Sequence, residues 1–236
     1  MRIIVLLILM GLAPFASAVE SNDLSPIKTI HPASSLPRQQ NTGSILAAAL
    51  KAENTGNLIT AISLLKPVYQ HLPDNALVRL NYARVLIENG EANKAIAVVQ
   101  PLVNKNSQDW RPWFWLGSAQ LMSGDLENAA ESLDAALDRE GKVMAIWVQR
   151  AIVAQQRGKT KAALSLLQVA YGIEPKNADV VLNYAYTLEQ AGQLKKALNA
   201  YQLFLQMTAA KPHYGTLRRQ ILQRLDKIAA GVTAYK

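Results

Sequence analysis

Residues 113 to 130 read WFWLGSAQLMSGDLENAA. Trp113, Phe114 and Trp115 stand side by side, small residues follow, and a Gly124-Asp125 turn leads to Ala129 and Ala130. Crowded aromatics fit either a ligand pocket or one unit of something larger. The rest of the chain decides. Glycines at positions 56, 90, 124, 158 and 192 are evenly spaced, and their common interval defines one period. Ala61, Ala95, Ala129, Ala163 and Ala197 follow them at one offset, and Ala49, Ala83, Gly117, Ala151 and Ala185 precede them at another. Three columns of small residues in five rows without a slip are the mark of a repeat architecture.

Each unit reads as a helix, a tight turn and a second helix. The turn glycine ends the first helix, where a left-handed residue carries little strain without a Cβ. The two small residues fall where the helices of one unit cross, so that the backbones can approach closely. Larger apolar residues fill the space around them, among them Leu80, Leu86, Ile96 and Val99 in the second unit and Trp147, Ala154, Leu164 and Leu167 in the fourth. Apolar residues recur at three- and four-residue intervals, as amphipathic helices require, and no stretch alternates like a strand. Pro67 and Pro101 occupy one position midway along the second helices of the first two units. Proline there removes a hydrogen bond and crowds the preceding turn, which predicts a kink.

On these residues the chain resembles the tetratricopeptide repeat family. The family's run W-x-x-L-G is present as Trp113, Leu116 and Gly117, with Gly124 and Ala129 behind it. Pro73 and Pro175 close the first and fourth units as in the family, while Ser107, Gly141 and Ala209 stand in that place elsewhere, which predicts looser junctions. Leu86, Gln120, Ala154 and Leu188 replace the usual mid-helix aromatic. The resemblance implies an all-α fold, a right-handed α-solenoid of five equal helix-turn-helix units (42–75, 76–109, 110–143, 144–177 and 178–211). A capping helix and tail (212–236) follow, since a solenoid has to cover its last apolar face.

The two ends differ in kind. MRIIVLLILMGLAPFASA has a basic start, a short apolar run and a small-residue site ending at Ala18. This is the pattern of a secretory signal peptide over 1–18; the alternative, an uncleaved anchor, needs about 20 apolar residues. Residues 19–41 are rich in Ser, Pro, Asn and Gln, and read as a disordered tether. The expected location is periplasmic or secreted, soluble after cleavage. From Lys195 onward the chain has eight basic residues and one acidic, whereas basic and acidic residues balance from Glu20 to Leu194. In the cap helix, expected from about His213 to Ala229, Leu217, Ile221, Leu222, Leu225 and Ile228 form an apolar stripe. Arg218, Arg219, Arg224 and Lys227 face away as a basic patch. That patch is either a solvated outer face or a contact for anionic lipid, cell-wall polymer or an acidic partner.

Chemistry finds little support. There is no cysteine, and His31, His71 and His213 lie far apart, so no metal site is expected. No serine elbow and no phosphate loop occur, and Glu127 and Glu131 lie on an outward helix face. We expect no enzyme, no cofactor and no nucleic-acid partner.

What remains is surface. The resemblance implies a concave groove lined by first helices, carrying Asn81, Arg84 and Ile87, then Arg111, Phe114, Trp115, Ser118 and Met122. Gln149, Ile152 and Gln156 follow from the fourth unit, and Asn183, Tyr186 and Gln190 from the fifth. Trp113 is expected in the core. Phe114 and Trp115 are expected to face a partner, the alternative being that they stack on a neighbouring first helix. The carboxylate clamp known in the family is broken: Asn81 and Arg111 fit it, but Leu46, Leu50 and Trp115 fill its other positions. The groove therefore reads as apolar and aromatic, suited to an amphipathic helix or extended peptide. Three readings follow: a periplasmic scaffold in an envelope assembly such as a pilus, secretion or outer-membrane machine, a holdase for an exported or maturing chain, or an envelope binder acting through its basic end.

Overall fold

A computed structural model describes residues 37–103 and 108–233, with side chains for 42–103 and 108–228. The expected signal peptide, most of the tether and Ser107 lie outside the described residues. Eleven α-helices are present, with no strand among the described residues: α1 (Pro37–Asn54), α2 (Leu58–His71), α3 (Ala76–Glu88), α4 (Ala92–Val103), α5 (Trp110–Ser123), α6 (Leu126–Arg139), α7 (Met144–Gln156), α8 (Thr160–Ile173), α9 (Ala178–Gln190), α10 (Leu194–Met207) and α11 (Gly215–Thr233). A 3₁₀ turn, Pro212–Tyr214, introduces α11. Four first helices start at the residues predicted. The other, α1, starts at Pro37 rather than Thr42, so the last five residues assigned to the tether are helical. Proline is well suited to a first helical position because its φ is preset and its missing N–H is not needed there.

The turn glycines behave as the period requires. Gly56, Gly90, Gly124, Gly158 and Gly192 all have positive φ, between 71° and 84°. Each closes its first helix in the same way. For Gly124 the amide donates to Leu121 O at 3.2 Å and the next amide, of Asp125, donates to Gln120 O at 2.9 Å. This paired closure satisfies carbonyls that a helix end would otherwise leave open.

The small-residue columns hold the hairpins shut. Ala61, Ala95, Ala129, Ala163 and Ala197 are fully buried. At Gly117 even a methyl group has no room: a Cβ would lie 2.7 Å from Leu133 Cγ and 3.3 Å from Ala129 O. The close crossing of α5 on α6 is thus set by the absence of a side chain. Pro67 and Pro101 lie inside α2 and α4, and both helices run on past them.

The chain forms two compact units, Met1–Arg139 and Glu140–Lys236. They part beside Gly141, one of the junctions that lacks the closing proline. In the first unit the hairpins α1–α2, α3–α4 and α5–α6 stack in order, and α3 also packs on α5. In the second, α7–α8 and α9–α10 stack and α11 packs on α10. The core of this end gathers Leu182, Leu188, Tyr201, Phe204, Tyr214, Ile221 and Ile228, with Leu217 and Leu225 packed beside it. Leu222, expected in the same stripe, is 49% exposed. It lies one full period after Leu188, in the column that packs a first helix on its own second helix, and α11 has no second helix among the described residues to meet it.

Candidate binding surface

In the first unit, the face made by first helices begins with an ionic cluster. Arg84 on α3 pairs with Glu53 on α1, their side chains 12% and 2% exposed. Arg84 also reaches Asn81 Oδ1 at 3.4 Å, while Asn81 Nδ2 donates to Leu77 O at 2.8 Å. Glu88, one turn beyond Arg84, shares a hydrogen bond with Glu53. Burial first, then the charge of Glu53 and that bond, push the Glu88 carboxyl up to about 8, against the pull of Arg84. Two carboxylates near one guanidinium cannot both ionise without a penalty. Glu53 Oε2 is buried without a hydrogen-bond partner among the described residues.

Further along this unit the aromatics depart from expectation. Phe114 is completely buried and Trp115 is 5% exposed. The Phe114 ring meets Trp110 at 5.9 Å and Trp115 at 4.9 Å, both edge to face. Since α5 is packed on α3, α4 and α6, these rings are packing and not an open contact surface. Trp113 shows the opposite deviation. It is half-buried, with the Arg139 guanidinium 4.8 Å above its ring. Ser118 is buried too, its hydroxyl donating to Phe114 O at 2.8 Å, and Ile87 is buried. Arg111 stays accessible, though Asp109 holds it by bonds of 2.8 Å from Nε to both carboxylate oxygens. Met122 is half-buried.

In the second unit Gln149 is fully buried, and neither end of its amide has a partner among the described residues. Ile152 is buried, Gln156 half-buried and Gln190 exposed. Asn183 Nδ2 donates to Asp179 O at 2.9 Å. Tyr186 lies edge to face with Tyr201 at 5.4 Å, and the Arg224 guanidinium sits 5.2 Å over its ring. Burial pushes the Tyr186 hydroxyl up to about 12, with Arg224 opposing.

The basic patch is likewise divided. Arg224 Nε donates to Glu189 at 2.6 Å, and the same carboxylate oxygen accepts from Tyr201 at 2.6 Å. Arg218 donates to Leu205 O and, at 3.0 Å, to Thr208 Oγ1. Only Arg219 and Lys227 face water as expected. A long arginine can cover apolar surface with its stem and satisfy carbonyls with its head, so outward charge was the wrong assumption for the other two. Column arithmetic could have found the Glu189 pair. Glu189 stands four periods after Glu53, and Arg224 four periods after Glu88. Tyr214, which no motif singled out, donates to Asp179 Oδ1 at 2.8 Å and ties the 3₁₀ turn to α9.

Of the positions expected on this face, those left accessible are mostly polar: Arg111 and Met122 with parts of Asn81 and Arg84 in the first unit, and Gln156, Asn183 and Gln190 with part of Tyr186 in the second. The apolar, aromatic trough expected from the sequence is not what the side chains build. No group of three or more potential metal ligands occurs among the described residues, and no described helix is long and apolar enough to cross a membrane.

Comparison with known proteins agrees with this architecture. The family model described as the tetratricopeptide repeat matches residues 55–114 and 154–221. A curated relative, the cellulose synthase operon protein C of Pseudomonas fluorescens (strain SBW25), is 30% identical over 128 residues, which is 54% of this chain and 10% of that protein. The chain thus spans about a tenth of that relative's length. The solved structure of TTC0263, a thermophilic repeat protein in Thermus thermophilus, superposes with a TM-score of 0.69 at 19% identity, covering 77% of this chain and 98% of the other. MamA from Desulfovibrio magneticus RS-1 gives 0.59 at 11% identity, with 72% and 97% covered. Identities this low speak for the fold alone.

Proposed function

The chain belongs to the tetratricopeptide repeat family, and on that premise we propose that it is a non-enzymatic scaffold holding one folded partner polypeptide on the face of its first helices. We further propose that it works in the periplasm, within an envelope assembly. What supports export is the pattern of Met1 to Ala18. What supports a scaffold is the polar character of the accessible face. A holdase gripping unfolded chains on its first helices needs open apolar surface there, yet Ile87, Phe114, Trp115 and Ile152 are all buried. Adhesion through the basic end is disfavoured because Glu189 neutralises Arg224 and Arg218 is occupied by the backbone of α10.

The observation that carries the reading is the set of accessible amides on the first helices of the second unit, Gln156, Asn183 and Gln190. Such groups pair with a partner's backbone and polar side chains, and they give specificity more than bulk affinity. The test is a photoreactive residue at Met122 or Gln190 in intact cells, with an exposed outer position, Glu131, as control. One crosslinked partner that co-purifies folded is expected. A heterogeneous ladder of unfolded chains, or equal yield from the control, would overturn the assignment. Fractionation of the same cells tests the compartment.

A further inference from the structure

Charge is distributed unevenly between the two units. Met1–Arg139 holds eleven basic and twelve acidic residues, and Glu140–Lys236 holds fourteen and five. Within the second unit the excess has a definite place. The second helices α8 and α10 contain no acidic residue, and Lys159, Lys161, Lys195 and Lys196 lie exposed in or beside them. Between α8, α9 and α10 opens a cleft of about 340 Å³, lined by Tyr171, Val181, Tyr184, Leu188, Lys196, Asn199, Ala200 and Leu203. Its apolar rim is open to solvent, since Tyr171 is 40% exposed and Leu203 37%. The carboxylate at the end of α8, Glu174, is engaged by Asn177 at 3.0 Å.

We propose that this cleft between α8, α9 and α10 is a docking site, distinct from the groove positions of the first helices, for an acidic amphipathic helix of a partner protein. One or two large apolar side chains of that helix enter between Tyr171 and Leu203, and its flanking carboxylates meet Lys195 and Lys196. The occupant follows from charge complementarity and shape. With Lys196 in its lining, Lys195 next to it in sequence and no acidic lining residue, the cleft selects an acidic ligand and speeds its arrival. A recess between packed helices receives protruding side chains in the manner of a helix laid in a groove. A lipid surface would instead call for apolar groups that protrude from a flat or convex face. A small molecule would need several polar groups converging inside the recess, whereas most of this lining is aliphatic or aromatic. The proposal does not depend on what the first-helix face holds, because Val181, Tyr184 and Leu188, its lining residues from α9, are none of the groove positions Asn183, Tyr186 and Gln190.

The test uses the full chain and a fluorescein-labelled 18-residue peptide with leucine at helical spacings of three and four and glutamate elsewhere. Its counterpart has lysine for every glutamate. Anisotropy should report saturable binding of the acidic peptide and none of the basic one. Leu203→Glu should weaken binding at least tenfold, and Lys195→Glu with Lys196→Glu by a similar factor. All three positions are exposed, and an unchanged circular dichroism melt will confirm that the variants fold. Raising salt from 50 to 300 mM should weaken binding several-fold. Equal affinity for both peptides, or an acidic-peptide affinity indifferent to these substitutions, overturns the proposal. So does partition onto phosphatidylglycerol vesicles without peptide binding, which assigns the face to lipid. Self-association of the chain alone that Leu203→Glu abolishes overturns it in favour of a second copy. Loss of peptide binding leaves the crosslink at Met122 or Gln190 untouched, so failure here is distinguishable from failure of the scaffold reading.

Discussion

Glu53 and Glu189 occupy the same column of the repeat, four periods apart, and each is met by the first helix that follows. At Glu53 that helix offers Arg84 and Glu88; at Glu189 the equivalent positions are Gln220 and Arg224. The first site therefore has two carboxylates and one guanidinium, with Glu53 and Arg84 largely buried and Glu88 half-buried beside them. The second has one of each, with Tyr201 as an added donor and the pair a third exposed on the arginine side. One scaffold geometry thus serves two electrostatic designs. The first depends on a proton, while the second has its acceptor filled by fixed donors. The repeat sets where side chains meet, and the residue chosen at each column sets how the meeting responds to its surroundings.

Changes at the two sites should differ in size, and the largest effect expected in the first unit sets the scale. Phe114→Ala empties a fully buried position, and should lower stability by about 4 kcal/mol, as core phenylalanines do. Urea unfolding measures this, and a loss below about 1 kcal/mol would return Phe114 to the surface. Next comes Arg84→Met, which leaves Glu53 buried without its counter-charge. Breaking a buried pair from one side costs about 3 kcal/mol, whereas Arg224→Met, at a more solvated site, should cost about 1 kcal/mol. Equal losses would erase the contrast between the two sites.

The pH dependence sharpens it further. Glu88 has its folded pKa raised to about 8 from an ordinary 4.5. The folded state then binds more protons than the unfolded one between those values, so stability is greatest below about 4.5 and declines as pH rises through about 8. Thermal melts between pH 5 and 9 should show this decline, and Glu88→Gln should flatten it by keeping the hydrogen bond without the charge. A slope that survives Glu88→Gln would place the titrating group elsewhere. An effect on the scale of Arg224→Met belongs to Tyr201→Phe, which removes one donor from Glu189 and leaves Arg224 in place. About 1 kcal/mol should be lost, and no change at all would mean that Arg224 alone neutralises Glu189.

Much of the fold was legible because the period fixes phase. Once five glycines fall at one spacing, the turn, the crossing residues and the buried alanines follow from helix geometry, and four first helices begin where they were placed. The surface was less legible. Periodicity gives the direction in which Phe114 and Trp115 leave α5, but not how closely the neighbouring helices approach, and that distance decides between groove and core. Trp113 deviated the other way because Arg139 can cover a ring that aliphatic neighbours leave open. The charge pattern drew the basic boundary at Lys195. The compact units part at Arg139 instead, and counting either side of Gly141, where the closing proline is absent, would have revealed the larger asymmetry.

Leu222 has a consequence for how this protein could be enlarged. The α11 helix keeps the register of a sixth first helix, yet Leu222 on it is left 49% exposed. A glycine turn and one amphipathic segment spliced after α11 would give that residue a second helix to meet, in the phase the other five hairpins already share.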